Sequence, residues 1–387
     1  MSQYLMNNYG NRSHSLSRGE GCYLFDDSNK RYLDALSGIA VCGLGHCHPA
    51  VTQAITEQAG TLLHTSNLFN IERQEQLAQA LCEISGMERA FFSNSGAEAN
   101  EAAIKISRLY AKSKGIAEPI VITTHGSFHG RTMATLSATG NPKVQEGFSP
   151  LVDGFKHAPY NDPAAIEELC KAGNVVAILV EPVQGEGGVR VPDENYLQRL
   201  RQICDQYDCL LMLDEIQTGN GRTGEYFAFQ HNNIKPDVLT TAKGLGNGVP
   251  IGACLAAGKA AELLQAGSHG STYGGNPLVC ATALATVNEL RKEELLNNVR
   301  ERSAQLLTGL TTALKDCEKL KEIRAKGLMV GIELNENCGQ LVEKAWQKGL
   351  IINVTAGSTI RLLPPLVINQ EQVNHIIAII NDIVRED

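Results

Sequence analysis

Residues 237–248 read Asp-Val-Leu-Thr-Thr-Ala-Lys-Gly-Leu-Gly-Asn-Gly, so a β-prone run, 238–242, carries Lys243 straight into a glycine-rich loop. An apolar floor behind a lysine and few side chains in front of it desolvate the ammonium, lower its pKa and expose it to a flat ligand. A lysine so placed can become a Schiff-base former, although taken alone it reads more readily as a surface lysine at a strand end. Asp214 follows the apolar run 210–213, and a carboxylate delivered by a buried strand needs a partner: a protonated heterocyclic nitrogen, a metal or an arginine. Ile216 and Gln217 follow on the same turn, one apolar and one hydrogen-bonding. Ser95-Gly96-Ala97 opens a predicted helix, where free N–H groups and the helix dipole can seat an anion or simply take an N-cap. Phe128 adds an aromatic ring in a loop rich in glycine and histidine.

The elements that must carry these residues alternate in type. Residues 21–34 have the composition of a hairpin around the turn 27–30, and a helix is predicted from about Pro49. A helix over 72–84, a strand at 90–93 and a second helix from 94 follow, the latter with an apolar face of Ala99, Ala102, Ala103, Ile106, Leu109 and Tyr110. Strands are predicted at 120–123, 175–180, 209–213 and 238–242, with a helix over about 193–207. Apolar strands alternating with helices imply an α/β fold with a mostly parallel central sheet flanked by helices. In such sheets ligands sit beyond the carboxyl ends of strands, where Asp214 and Lys243 stand. After about Pro277 the pattern shifts to longer helices and ends on an amphipathic one (Val373, Ile376, Ile377, Ile380, Val384), which suggests a smaller α+β domain. The expected division is 1–48, an N-terminal segment joining the small domain; 49–277, the large domain; and 278–387, the C-terminal small domain.

Composition narrows the function classes. A chain of 387 residues with 43% hydrophobic and 20% charged residues is ordinary for a soluble globular protein of one or two domains. A net charge of -8 argues against nucleic acid. Eleven cysteines, an odd number scattered from Cys22 to Cys338, suit reduced thiols, and residues 1–17 lack the apolar core of a signal peptide, so a cytoplasmic location is expected. The longest apolar runs are too short to span a membrane. His46, Cys47 and His48 sit too close together for a tetrahedral set, and no metal is expected. Gly219-Asn220-Gly221-Arg222-Thr223-Gly224 matches G-x-G-x-x-G, the mark of a dinucleotide-binding dehydrogenase. The segment 225–236 is too short and aromatic for the helix that motif requires, and Asp237 precedes its strand instead of ending it.

A phosphate seat, an aromatic residue, a buried acid and a Schiff-base lysine are the four contacts that pyridoxal 5'-phosphate needs. At this point the sequence resembles the class III pyridoxal-phosphate aminotransferases, the ω-aminotransferases of fold type I, over nearly its whole length. The resemblance is carried by Gly45-His46-Cys47-His48-Pro49, Ser93-Asn94-Ser95-Gly96-Ala97-Glu98-Ala99-Asn100-Glu101, Phe128-His129-Gly130-Arg131-Thr132 and Glu181-Pro182-Val183-Gln184-Gly185-Glu186-Gly187-Gly188. Asp214-Glu215-Ile216-Gln217-Thr218-Gly219, Lys243-Gly244, Ser271-Thr272-Tyr273-Gly274-Gly275-Asn276-Pro277 and Arg361-Leu362-Leu363-Pro364-Pro365 complete it, in order.

The resemblance implies that Ser95, Gly96 and Ala97 hold the phosphate and that Phe128 stacks on the ring. It implies that Asp214 holds the ring nitrogen, that Ile216 packs beneath the ring and that Gln217 reaches the phenolic oxygen, with Glu215 beside them among the cofactor-binding residues. Lys243 is then anchor and proton shuttle, and Thr272 reaches the phosphate of a neighbouring subunit, which requires a homodimer. Arg131 and Ser271 match positions that hold acetylornithine; Arg361 matches the clamp on the α-carboxylate of 2-oxoglutarate or glutamate, with Glu186 as its switchable partner. Ornithine-specific relatives place a tyrosine in the loop before Gly45, where it meets a free α-amine. Here residues 38–41 are Gly-Ile-Ala-Val, which suits an acylated nitrogen and favours acetylornithine over ornithine, with succinylornithine and N-succinyl-diaminopimelate as alternatives. Cys42 stands where relatives often have asparagine, near the substrate side. A racemase or decarboxylase on the same fold is a further alternative.

Overall fold

The computed structural model describes residues 4–10 and 13–386, so residues 1–3 and 11–12 of the polar N-terminal stretch lie outside the described residues. A seven-stranded sheet forms the centre, in the order Arg89–Ser93, Gly252–Ala256, Val238–Thr241, Leu210–Asp214, Val175–Val180, Ile120–Thr124, Phe155–Ala158. Gly252–Ala256 runs antiparallel to both its neighbours; the remaining pairs are parallel. Val175–Val180 is buried at every position, as a strand covered on both faces must be. This is the expected α/β architecture, a mostly parallel central sheet flanked by helices.

Sheet register places the chemistry. Asp214 pairs with Thr240, so the strand holding Asp214 and the strand leading to Lys243 end side by side. The helix Gly96–Ser113 begins just beyond Arg89–Ser93. Ser95 Oγ accepts from Glu98 N at 3.2 Å while the Glu98 carboxylate accepts from Asn94 N at 2.6 Å, a reciprocal cap that fixes where the helix starts. Its buried face takes Ile104 as well as Ala99, Ala102, Ala103, Ile106 and Tyr110, while Leu109 is only half-buried.

Helices Glu293–Ala313 and Gln370–Arg385 pack together beside a four-stranded antiparallel sheet, Leu320–Lys326, Met329–Leu334, Thr359–Leu362 and Asn353–Thr355. The N-terminal strands Arg18–Glu20, Tyr23–Phe25 and Arg31–Asp34 form a third sheet, in which Arg31–Asp34 pairs in parallel with Leu350–Ile351 from the other end of the chain. The glycine-rich segment Gly219–Gly224 leads into no α-helix; a short 3₁₀ turn, Ala228–Asn232, follows. Asn220 Nδ2 instead braces the approach to Lys243, donating to Thr241 Oγ1 at 2.9 Å and to the Ala242 carbonyl at 3.1 Å. No helix of the described residues is long and apolar enough to cross a membrane.

Candidate active site

Asp214 and Lys243 open into one cavity of about 430 Å³. Ser95, Gly96 and Ala97 from the helix start line it, with Phe128 and Arg131 from the loop after Ile120–Thr124. Glu186, Ile216 and Gln217 complete that wall. Arg361 lies one layer back, fully buried, with Nη1 donating to Glu186 Oε1 at 2.6 Å and to Gln217 Oε1 at 3.3 Å. Glu215 turns away: its carboxylate accepts from Thr218 Oγ1 at 2.6 Å and from the backbone of Ala228 and Phe229, and burial pushes its pKa up to about 7. Ser271 lines a neighbouring cleft and meets the cavity through Asn94, whose Nδ2 donates to its Oγ at 3.3 Å. Thr272 is exposed and does not line the cavity of its own chain.

Lys243 sits at φ 44°, a left-handed bend that turns it from strand into loop. Its ammonium makes no hydrogen bond or ion pair among the described residues, and burial lowers its pKa, opposed by the nearby Glu186 carboxylate and reinforced by Arg361. Asp214 is 3% exposed. Its Oδ2 accepts from Asn100 Nδ2 at 2.8 Å and lies 2.8 Å from His129 Nδ1, the nitrogen that carries the hydrogen beside a carboxylate. Asn100 is held in turn by Thr240 Oγ1 at 2.7 Å. Among the described residues Asp214 Oδ1 accepts only from Ile216 N, at 3.1 Å, and keeps a lone pair for one more donor.

These features form a fit test for pyridoxal phosphate. A Cβ added at Gly96 would come within 2.7 Å of Ile216 Cδ1, so only glycine lets backbone and isoleucine approach this closely under a flat ring. The N–H groups of Gly96 and Ala97 belong to the first helical turn, which has no intrahelical acceptors. The free lone pair of Asp214 suits a protonated ring nitrogen, and the unpaired Lys243 suits an aldehyde. Arg361 Nη2 is buried with no hydrogen-bond partner among the described residues, which suits an incoming carboxylate. The residues fit the group.

Three contributors are not evident from residue type and spacing. Asn100 and His129 orient Asp214, although both stand inside the quoted motifs, Asn100 one helical turn beyond Gly96. Glu181 lines the cavity, accepts from Phe128 N at 3.1 Å and Gly185 N at 3.2 Å, and is pushed by burial up to about 7. Residues 37–40 all have positive φ, and this left-handed turn presents Val41 to the cavity. For its non-glycine residues such a backbone costs about 1–3 kcal/mol each and persists only where the surroundings impose it. Here Asp34 Oδ1 accepts from Leu36 N at 2.9 Å and Ser37 N at 2.8 Å, and Ser37 Oγ donates to the Leu363 carbonyl at 2.6 Å.

Residues 4–384 match the family model described as aminotransferase class-III. An acetylornithine aminotransferase of Nitrosomonas europaea is 50% identical over 98% of this chain and 97% of its own. One from Aquifex aeolicus is 47% identical over 98% of this chain and 100% of its own. Among solved structures, the ornithine aminotransferase of Toxoplasma gondii superposes with a TM-score of 0.96 at 35% identity, covering 99% of this chain and 93% of that one. The N-acetylornithine aminotransferase of Stenotrophomonas maltophilia gives 0.86 at 37% identity, covering 98% of each.

Proposed function

We propose that this chain, which belongs to the class III aminotransferases, transfers the terminal amino group of N2-acetyl-L-ornithine to 2-oxoglutarate, giving N-acetylglutamate semialdehyde and L-glutamate, a step of arginine biosynthesis. Class III aminotransferases use pyridoxal phosphate. When bound, the cofactor supplies an electron sink for a substrate carbon that gives up a proton.

In this reading Gly96 and Ala97 would hold the phosphate with their free N–H groups, Ser95 fixes their helix, and Phe128 and Ile216 would hold the ring. Gln217 reaches the phenolic oxygen. Asp214 would pair with the ring nitrogen, and Asn100 and His129 keep its carboxylate aimed. Lys243 Nζ would hold the aldehyde carbon and would be the group that moves the proton to and from the substrate carbon. Arg131, whose guanidinium carbon lies 5.5 Å from the Phe128 ring centroid, takes the α-carboxylate of the acylated amine. The apolar wall at Val41 supports an uncharged, acylated α-nitrogen, because a free ammonium there would lack a partner.

A single observation carries the two-substrate reading: the Arg361 fork is paired with Glu186 on one nitrogen and unpaired on the other. With Glu186 in place the arginine's charge is neutralised and the chain of an ω-amine can pass. With Glu186 swung aside, both guanidinium nitrogens face the α-carboxylate of glutamate as a bidentate clamp. Removing one partner of a buried charge pair costs roughly 2–5 kcal/mol, which is more than tenfold. Arg361→Ala will therefore damage the glutamate half-reaction far more than the acetylornithine half-reaction, and Glu186→Ala will do the reverse. Single-turnover rates of both half-reactions decide it; equal losses for Arg361→Ala would reduce Arg361 to scaffolding.

A homodimer is part of the proposal. The exposed side chains of Leu62 (48%), Leu63 (53%), Leu68 (87%), Phe69 (67%) and Tyr273 (62%) beside Thr272 support it, since one chain leaves them uncovered. The pairing of Arg31–Asp34 with Leu350–Ile351 supports reading 1–48 and 278–387 as one small domain around the large domain 49–277. A cytoplasmic location belongs to the same reading. The test of substrate is a panel of amines followed by cofactor absorbance. Acetylornithine will react at least about tenfold faster than free ornithine, a difference of ~1.4 kcal/mol; a faster reaction with ornithine would overturn the substrate assignment.

A further inference from the structure

We infer that Arg324 is the positioning residue of the Glu186 switch, holding the backbone of the turn that carries Glu186 so that only the carboxylate moves. The inference rests on the proposed exchange of Arg361 between Glu186 and a substrate carboxylate. Arg324 lies on the strand Leu320–Lys326, outside the cavity, and is 8% exposed. Its Nε donates to the Val189 carbonyl at 3.1 Å and its Nη2 to the Gly188 carbonyl at 2.7 Å. Its Nη1 pairs with Glu333 and Glu322. Every nitrogen of the guanidinium is in use, and two of them grip successive carbonyls of the Glu186 turn.

That turn needs gripping. Gln184 and Arg190 close it as an antiparallel bridge, with backbone hydrogen bonds of 3.1 and 3.0 Å. Inside it Gly188 has φ 103° and Val189 has φ 50°, the latter a conformation that a β-branched residue adopts only when its surroundings impose it. The Val189 side chain is fully buried, and a Cβ at Gly331 would lie 2.8 Å from its Cβ. The Glu186 carbonyl is tied separately by Thr355 Oγ1 at 2.6 Å. The Glu186 carboxylate, by contrast, has Arg361 as its one partner among the described residues, and its side chain is 36% exposed. Backbone held at both ends and a side chain held at one point make a switch that works by side-chain rotation.

The guanidinium shape is what the position requires. A lysine offers a point charge and cannot fork across two carbonyls while also meeting a carboxylate. Nor does removing Arg324 orphan Glu333. Burial alone would raise the Glu333 pKa, but Lys321 at 2.9 Å, Arg324 and Arg190 at 2.8 Å outweigh it and hold it at about 2. Without Arg324, two cations remain on that buried carboxylate, so the fold keeps its ion pair.

The test compares Arg324→Met, Arg324→Lys, Glu186→Ala and the double variant Arg324→Met/Glu186→Ala as holoenzymes, by single-turnover rates with acetylornithine and with glutamate. Arg324→Met will weaken apparent acetylornithine binding roughly tenfold while glutamate stays within about twofold, and Arg324→Lys will fall between it and the parent. The double variant will show no larger split than Glu186→Ala, because Arg324 acts through Glu186. Equal losses in both half-reactions, or a double variant whose split is the product of the two single ones, would overturn the inference. If Glu186→Ala discriminates between the half-reactions and Arg324→Met does not, Arg324 alone is reassigned. If Glu186→Ala does not discriminate, the switch itself falls and the inference with it.

Discussion

Lys243→Ala will abolish turnover while leaving a folded protein that still takes up pyridoxal phosphate without a covalent link. Three facts set the size of the effect. The ammonium is unpaired among the described residues, burial lowers its pKa, and it enters the cavity that Asp214 also enters. A lysine whose charged form is disfavoured by burial can serve both as nucleophile and as base, and general acid–base catalysis alone contributes roughly 10²–10⁴-fold. Because the proposed anchoring and proton transfer fall on the same nitrogen, kcat should drop by at least about 10⁴-fold, at or beyond the upper end of that range. Cofactor binding persists because the helix start at Gly96 and the carboxylate of Asp214 do not depend on the lysine. Borohydride reduction followed by mass analysis provides a readout separate from activity: the parent retains the cofactor on Lys243 and the variant retains none. Full activity in purified Lys243→Ala would sink the mechanism.

Much of this was legible because the signals were local. Val175–Val180 is a strand in both readings, since an unbroken run of β-branched and apolar residues admits few other environments. Ser95 announced its helix because a cap is a matter of residues within one turn. The left-handed turn at residues 37–40 was not legible, because Ile39 and Ala40 have no intrinsic preference for positive φ and adopt it under contacts from Asp34 and Leu363, one of them distant in sequence. The clamp of Arg324 on Gly188 and Val189 is hidden for the same reason: it joins residues far apart in the chain, and nothing in the spacing of either segment points to the other. Glu215 shows the opposite failure. The resemblance set it among the cofactor-binding residues, yet the end of a strand sends successive side chains to opposite sides, and Glu215 satisfies Thr218, Ala228 and Phe229 instead.

Asp214→Asn will leave cofactor binding largely intact and slow proton abstraction on the order of 10²–10³-fold, the scale for losing one preorganised electrostatic contact in a water-excluded site. An amide has nearly the shape of the carboxylate and can still accept from Asn100 or Ile216. It cannot supply the negative charge that keeps a ring nitrogen protonated, and without that proton the ring draws electrons from the substrate carbon poorly. The surroundings make the loss specific. Asn100 and His129 both present donors to Oδ2, at 2.8 Å each, so an amide that turns its NH₂ group toward them meets two hydrogens, and one that turns its oxygen toward them offers the ring nitrogen an N–H where it needs an acceptor. Either orientation leaves one buried contact wrong. Primary deuteration of the substrate carbon separates the outcomes: in Asp214→Asn the isotope effect on single turnover should grow as proton removal becomes fully rate-limiting. An unchanged rate with an unchanged isotope effect would make Asp214 a structural residue, held in place by Asn100 and His129 for packing alone.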